Sequence, residues 1–131
     1  MTDSTLHKIV LIDDDKFLLE TYATKFQQNG FDVRACLSVK AGLQALRDGF
    51  PAEAVIFDVV MPEQDGFSLL EALRAEKLAP NAKRIALTNQ SDDSEKKRAE
   101  DLGVSLYIIK ASMIPSEVVH TVLEALTKKE A

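Results

Sequence analysis

Strand-sized apolar runs recur five times along this chain, at 9–12, 31–35, 55–57, 85–87 and 106–109, and a segment of helix length follows each one. That alternation is the strongest constraint on the fold. Strands joined by helical crossovers run parallel, and a parallel sheet has to be covered by helices on both faces. Four of the runs are continuously apolar, as strands buried on both sides require, whereas Phe31-Asp32-Val33-Arg34-Ala35 alternates and is expected at a sheet edge. Right-handed crossovers then leave only a few doubly wound α/β orders.

The intervening segments carry apolar residues at helical spacing. Phe17, Leu18, Tyr22 and Phe26 are expected to share the buried face of the first helix, which Gly30 stops. The second helix starts at Ser38, a good N-cap, and ends near Gly49, with Ala41, Leu43, Ala45 and Leu46 inside and Pro51 barring its continuation. Phe67, Leu69, Leu70 and Leu73 form the third after Gly66, where glycine is expected to supply a positive φ in the turn. Asp92 with Glu95 resembles a capping box for a fourth helix that Gly103 closes, and Val118, Val119, Val122, Leu123 and Leu126 mark the fifth. The fourth helix is mostly charged, with Ala99 and Leu102 as its apolar anchors. It therefore buries little surface and is expected to dock weakly and to move.

A length of 131 residues fits one domain, 1–131, with one core. The formal charge of −5 gives no general attraction for phosphate backbones, and the densest cationic run, Lys96-Lys97-Arg98, is flanked by Glu95 and Glu100, so no direct nucleic-acid binding is expected. The lone Cys36, set among apolar neighbours, reads as a small buried hydrophobe. The opening residues lack the layout of a signal peptide, and no apolar run approaches a membrane span, so a cytoplasmic protein without membrane association is expected.

Open α/β sheets place their ligands at the C-terminal strand ends, and there this chain puts Asp13-Asp14-Asp15, Asp58, Thr88 and Lys110. Each alone reads as a cap or a solvated terminus. Together, adjacent first and third strands would gather Asp13, Asp14 and Asp58 into one crevice, where hard oxygen donors suit Mg²⁺; the lack of a His or Cys cluster argues against zinc. A hydroxyl at Thr88 and an ammonium at Lys110 complete what phosphoryl transfer to a carboxylate requires. His7 and His120 have no motif partner and read as surface residues.

These residues resemble the receiver domain of two-component response regulators of the chemotaxis-regulator type, over nearly the whole chain. The matching stretches are Leu11-Ile12-Asp13-Asp14, Phe57-Asp58-Val59-Val60-Met61-Pro62-Glu63-Gln64-Asp65-Gly66, Ile85-Ala86-Leu87-Thr88 and Tyr107-Ile108-Ile109-Lys110. The resemblance implies a (βα)5 flavodoxin-like fold with strand order 2-1-3-4-5, an order that general fold rules already record for this family. It implies that Asp58 accepts a phosphoryl group from a phosphohistidine on a sensor histidine kinase or histidine phosphotransfer protein. Asp14, Asp58 and the Val60 backbone carbonyl would bind Mg²⁺, with Asp13 assisting. Lys110 would pair with the phosphoryl oxygens. Thr88 and Tyr107 would switch the face built by the fourth helix, fifth strand and fifth helix, signalling by protein contact; the domain catalyses only its own phosphorylation and dephosphorylation.

Four positions depart from the family pattern. Ala111 replaces the usual proline after the lysine, so a trans bond is expected there. Asn89, in place of a small residue, is expected to narrow access to Asp58, while Val60 and Gln90 stand where dephosphorylation is tuned. Ser105-Leu106 replaces the charged residues of ion-paired dimers, so a monomer or a weak, more apolar dimer through the same switching face is expected. Two rival readings remain: a phosphorylation-independent interaction module, and a haloacid-dehalogenase-type phosphatase using Asp13. The second lacks the motif threonine, since Phe17 stands in its place.

Overall fold

The computed structural model describes residues 7–61, 64–89 and 92–127. The turn reading at Pro62, the motif residue Glu63, the tuning position Gln90 and the opening residues 1–6 lie outside the described residues. The elements alternate as β1 Lys8–Ile12, α1 Lys16–Gln28, β2 Asp32–Cys36, α2 Val39–Arg47, β3 Ala54–Phe57, α3 Gly66–Glu76, β4 Lys83–Thr88, α4 Asp93–Asp101, β5 Val104–Ile109 and α5 Pro115–Thr127. All strand pairs are parallel, in the order β2-β1-β3-β4-β5. Helices α1 and α5 cover one face over Ile9, Leu11, Ile56 and Ile108, while α2, α3 and α4 cover the other over Val10, Ile12, Val55 and Phe57.

Local chemistry sets the helix starts. Asp15, Ser38, Asp65 and Asp92 each accept a backbone N–H of the first turn through the side chain. The capping box of α4 forms on one side only: Asp92 Oδ1 accepts from the N–H groups of Ser94 and Glu95, whereas Glu95 Oε1 is buried without a hydrogen-bond partner.

Four sequence expectations are corrected. Phe17 is not on the buried face of α1 but 75% exposed; the buried stripe is Leu19, Tyr22, Ala23 and Phe26, with Leu18 partly buried. Residues 19, 22, 23 and 26 fall within one helical stripe, and at 100° per residue Phe17 lies about 200° from Leu19. β2 is an edge as expected, but Arg34 and Ala35 are both exposed, so its burial does not alternate. β5, read as covered on both faces, is the other edge, with Ser105 exposed and Leu106 and Tyr107 partly buried.

The fourth correction concerns Gly66, which is not among the positive-φ glycines, Gly30, Gly49 and Gly103. Its requirement is space: a Cβ there would stand 2.8 Å from two Phe57 ring carbons and 2.9 Å from the Val59 backbone. We expect Gly66→Ala to push α3 away from the β3–α3 loop and to destabilise the fold by about 2 kcal/mol, the usual range for overpacking, read as a lower urea midpoint with an unchanged slope.

Ala99 and Leu102 anchor α4 as expected, Ala99 fully buried and Leu102 partly so. A third anchor was not legible in the sequence, the Arg98 guanidinium lying 4.1 Å over the Phe67 ring. Cys36 is buried, and burial pushes its thiol above the usual range. His7 pairs with Glu53 at 2.8 Å beside Phe31, and His120 lies exposed 3.3 Å from Glu124. Among the described residues no helix is long and apolar enough to cross a membrane.

Candidate functional site

Register brings the chemistry together. Ile12 aligns with Phe57, so the next residues, Asp13 and Asp58, leave neighbouring strands side by side. Their backbones continue the ladder, the Asp13 N–H donating to Cys36 O and the Asp58 N–H to Ile12 O, each at 3.1 Å. Thr88 ends β4 opposite Ile109, and Lys110 follows directly as the chain enters a 3-10 turn over Lys110–Ser112. The peptide bond after Lys110 is trans, no cis bond occurring among the described residues.

Asp13, Asp58, Thr88 and Lys110 are the buried polar residues of the described structure, with Thr88 fully enclosed. Neither Thr88 nor Lys110 is the solvated terminus that each resembled alone. Lys110 Nζ donates to Asp13 Oδ2 at 2.7 Å and to Asp58 Oδ2 at 2.8 Å. The other Asp58 oxygen accepts from Thr88 Oγ1 at 2.9 Å and from the Val60 N–H at 3.0 Å. Asp13 Oδ1 accepts from the Asp15 N–H at 2.9 Å, locking the first loop. The carboxylate of Asp58 is thus held from both sides, by an ammonium and by neutral donors. Thr88 is in direct contact with Asp58.

Electrostatics follow from burial and pairing. Burial pushes Asp13 above the ordinary carboxylate range, against the pull of Lys110 and the Asp15 N–H. Burial draws Lys110 down, but its hydrogen bonds and charge pairing with Asp13 and Asp58 outweigh it, so the net shift is upward and the ammonium persists at neutral pH. Tyr107 is raised by burial and by the charges of Glu95, Asp92 and Asp58, which ties it to both α4 and the pocket.

Asp13, Asp14 and Asp58 each offer a carboxylate oxygen within 4.8 Å of the others, Asp14 being the exposed member. All the donors are hard oxygens, which fits a divalent cation that keeps much of its water. Around this end stand the exposed large hydrophobics Phe17, Leu37, Val60 and Ile114, in the first turn of α1 and in the loops after β2, β3 and β5. Sequence reading placed Phe17 in the core and so missed this rim; four apolar residues just beyond strand ends were its only signal.

A doubly wound parallel sheet with acidic, hydroxyl and ammonium groups converging at its switch point defines a flavodoxin-like α/β protein with a polar pocket at its C-terminal strand ends. The chain belongs to the response regulator receiver domain family, whose family model matches residues 9–122. It is similar to a receiver domain protein (CheY-like) from Methanospirillum hungatei, with 26% identity, a TM-score of 0.83 and coverage of 93% of this chain and 94% of that one. The Francisella response regulator 1452 receiver domain is likewise similar, with 26% identity, a TM-score of 0.81 and coverage of 95% and 99%. Among curated proteins, the transcriptional regulatory protein GltR of Pseudomonas aeruginosa is 33% identical over 100 residues, 76% of this chain and 41% of GltR. The regulatory protein VanRc of Enterococcus gallinarum is 30% identical over 121 residues, 92% of this chain and 50% of VanRc. The chain therefore spans half or less of the length of these curated relatives.

Proposed function

We propose that this chain, acting as one receiver domain over 1–131, is a phosphoacceptor in a two-component phosphorelay. The observation that carries the reading is the doubly held Asp58 carboxylate, with Lys110 on one oxygen and Thr88 on the other. In the proposed reaction an Asp58 oxygen attacks phosphorus in a phosphohistidine of a sensor histidine kinase or histidine phosphotransfer protein. The new O–P bond forms as the P–N bond breaks, and the imidazole leaves with the bonding pair. Lys110 and Thr88 donate to the phosphoryl oxygens as they take up charge.

Mg²⁺, held by Asp13, Asp14, Asp58 and the Val60 carbonyl, would neutralise the crowded carboxylates and a phosphoryl oxygen. The apolar rim of Phe17, Leu37, Val60 and Ile114 supports docking of a protein donor over the pocket. Asn89, exposed next to buried Thr88, is proposed to slow entry of the donor.

The output in this reading is protein contact. A group of roughly −2 charge arriving beside Thr88 shifts α4 and β5, with Tyr107, flanked by the charges of Glu95 and Asp92, as the reporter. The proposed setting is cytoplasmic, and the proposed oligomeric state is a monomer or a weak dimer through α4, β5 and α5. Transcriptional control belongs to GltR by its name, and this chain's own downstream partner is a separate question.

The test is incubation with acetyl phosphate and Mg²⁺, read by intact mass. A single phosphoryl adduct is expected, and EDTA is expected to suppress its formation at least about a hundredfold, since three carboxylates then meet the incoming dianion with Lys110 alone to offset them. An adduct that forms equally well in EDTA would remove the metal from the reading.

A further inference from the structure

At the pole opposite Asp58, a groove of about 510 Å³ opens between the C-terminal end of α3, the start of β4 and the C-terminal end of α4. Its apolar floor is Leu70, Leu73 and Leu102, and its polar walls carry Arg74, Lys77 and Arg84. No lining residue bears a carboxylate, although the chain as a whole has a formal charge of −5. Two acidic residues adjoin the lining in sequence: Glu76 is turned to the α2 side, where it accepts two hydrogen bonds from Arg47 at 2.8 and 2.6 Å, and Asp101, next to Leu102, is exposed and stands outside the lining.

Among the described residues no ion pair neutralises these cations. Arg84 donates to the backbone carbonyls of Leu78, Ala79 and Ala82, which orders the α3–β4 loop, and among the described residues its positive charge meets no carboxylate. Burial lowers its pKa, yet a guanidinium starts so high that it stays charged. Arg74 reaches a carbonyl too, that of Asp101 at 3.5 Å, and Lys77 stands exposed at the C-cap of α3 with φ +55°. Part of this charge balances the helix C-termini. The rest faces a concave apolar surface of ligand size, since small-molecule pockets run from about 300 to 1,000 Å³ with an apolar lining and a few convergent polar groups.

We infer that this groove is a second binding site, for a small amphipathic anion whose apolar body lies on Leu70, Leu73 and Leu102 while its carboxylate, sulfonate or phosphate meets Arg74 and Lys77. Arg84 holds the loop beneath it. The site owes nothing to phosphoryl transfer, so it stands whether or not Asp58 accepts a phosphoryl group.

Anilinonaphthalene sulfonate, an apolar fluorophore with one anionic group, is the probe, titrated into the full chain with amide NMR shifts as the map. We expect saturable binding with shifts confined to residues 70–84 and 102–103. We expect about tenfold weaker binding in the double variant Arg74→Gln, Lys77→Gln, from two partly exposed charges lost. Neutral N-phenylnaphthylamine should bind the wild type no better than the anion binds the double variant. Both replaced side chains are exposed, and Arg84 is left in place, so the variant's own amide spectrum reports that the fold is kept. Shifts centred elsewhere, or equal affinity in the double variant, or equal affinity for the neutral compound, would each overturn the inference.

Discussion

Replacing Asp58 with asparagine is expected to abolish the phosphoryl adduct. The amide keeps the shape and can still meet Thr88 and the Val60 N–H, but it offers no anionic oxygen to phosphorus, and Lys110 keeps only its 2.7 Å partner at Asp13. A loss of at least about a thousandfold in rate, some 4 kcal/mol of barrier, takes the adduct below detection by intact mass. The fold should survive, because one buried carboxylate is removed from a cluster that repels itself. An adduct persisting in Asp58→Asn but vanishing in Asp13→Asn would transfer the nucleophile to Asp13 and sink the phosphoacceptor reading.

Lys110→Met should strike both chemistry and stability. The ammonium is the cation that two buried carboxylates share, at 2.7 and 2.8 Å, with only 6% of its side chain exposed. Methionine fills the volume and leaves that pair uncompensated. Breaking one side of a buried ion pair costs about 3 kcal/mol, so a clear fall in the denaturation midpoint is expected at neutral pH without added metal. Added Mg²⁺ should recover more stability in the variant than it adds to the wild type, since the metal then supplies the missing positive charge. Adduct formation from acetyl phosphate should fall about a hundredfold even with Mg²⁺ present, one phosphoryl-oxygen donor having gone. A variant as stable as the wild type, phosphorylated at the same rate, would show that the Lys110 contacts carry neither role.

Gly66 and Phe17 show why some positions could be read and others misread. The site residues were legible because each directly follows or ends an apolar strand: Asp13 after Ile12, Asp58 after Phe57, Thr88 ending β4, Lys110 after Ile109. Strand ends are visible in a sequence, since burial on both faces demands an unbroken apolar run. Phe17 was assigned to the core from its spacing, yet an aromatic on the side of the helix opposite the stripe of Leu19, Tyr22 and Phe26 points to solvent whatever its hydrophobicity. Glycine at 66 was visible as a requirement, but its cause was not. A positive φ is a local property, whereas the approach of Phe57 and Val59 belongs to packing between β3 and α3.

By itself, then, the sequence determined the alternation of strands and helices, the caps at Ser38 and Asp92, the edge position of β2 and the identity of the polar groups at the strand ends. These depend on neighbours within a few residues, where periodicity and capping chemistry act. Only the tertiary structure decided that Lys110 bridges Asp13 and Asp58, residues 97 and 52 positions away, that Thr88 rests on the Asp58 carboxylate, that Arg98 seats α4 on Phe67, and that three cations converge on one groove. The physical reason is that each contact joins chain segments whose meeting is set by strand order and register, and a charge or a ring carries no local mark of the partner the fold will bring to it.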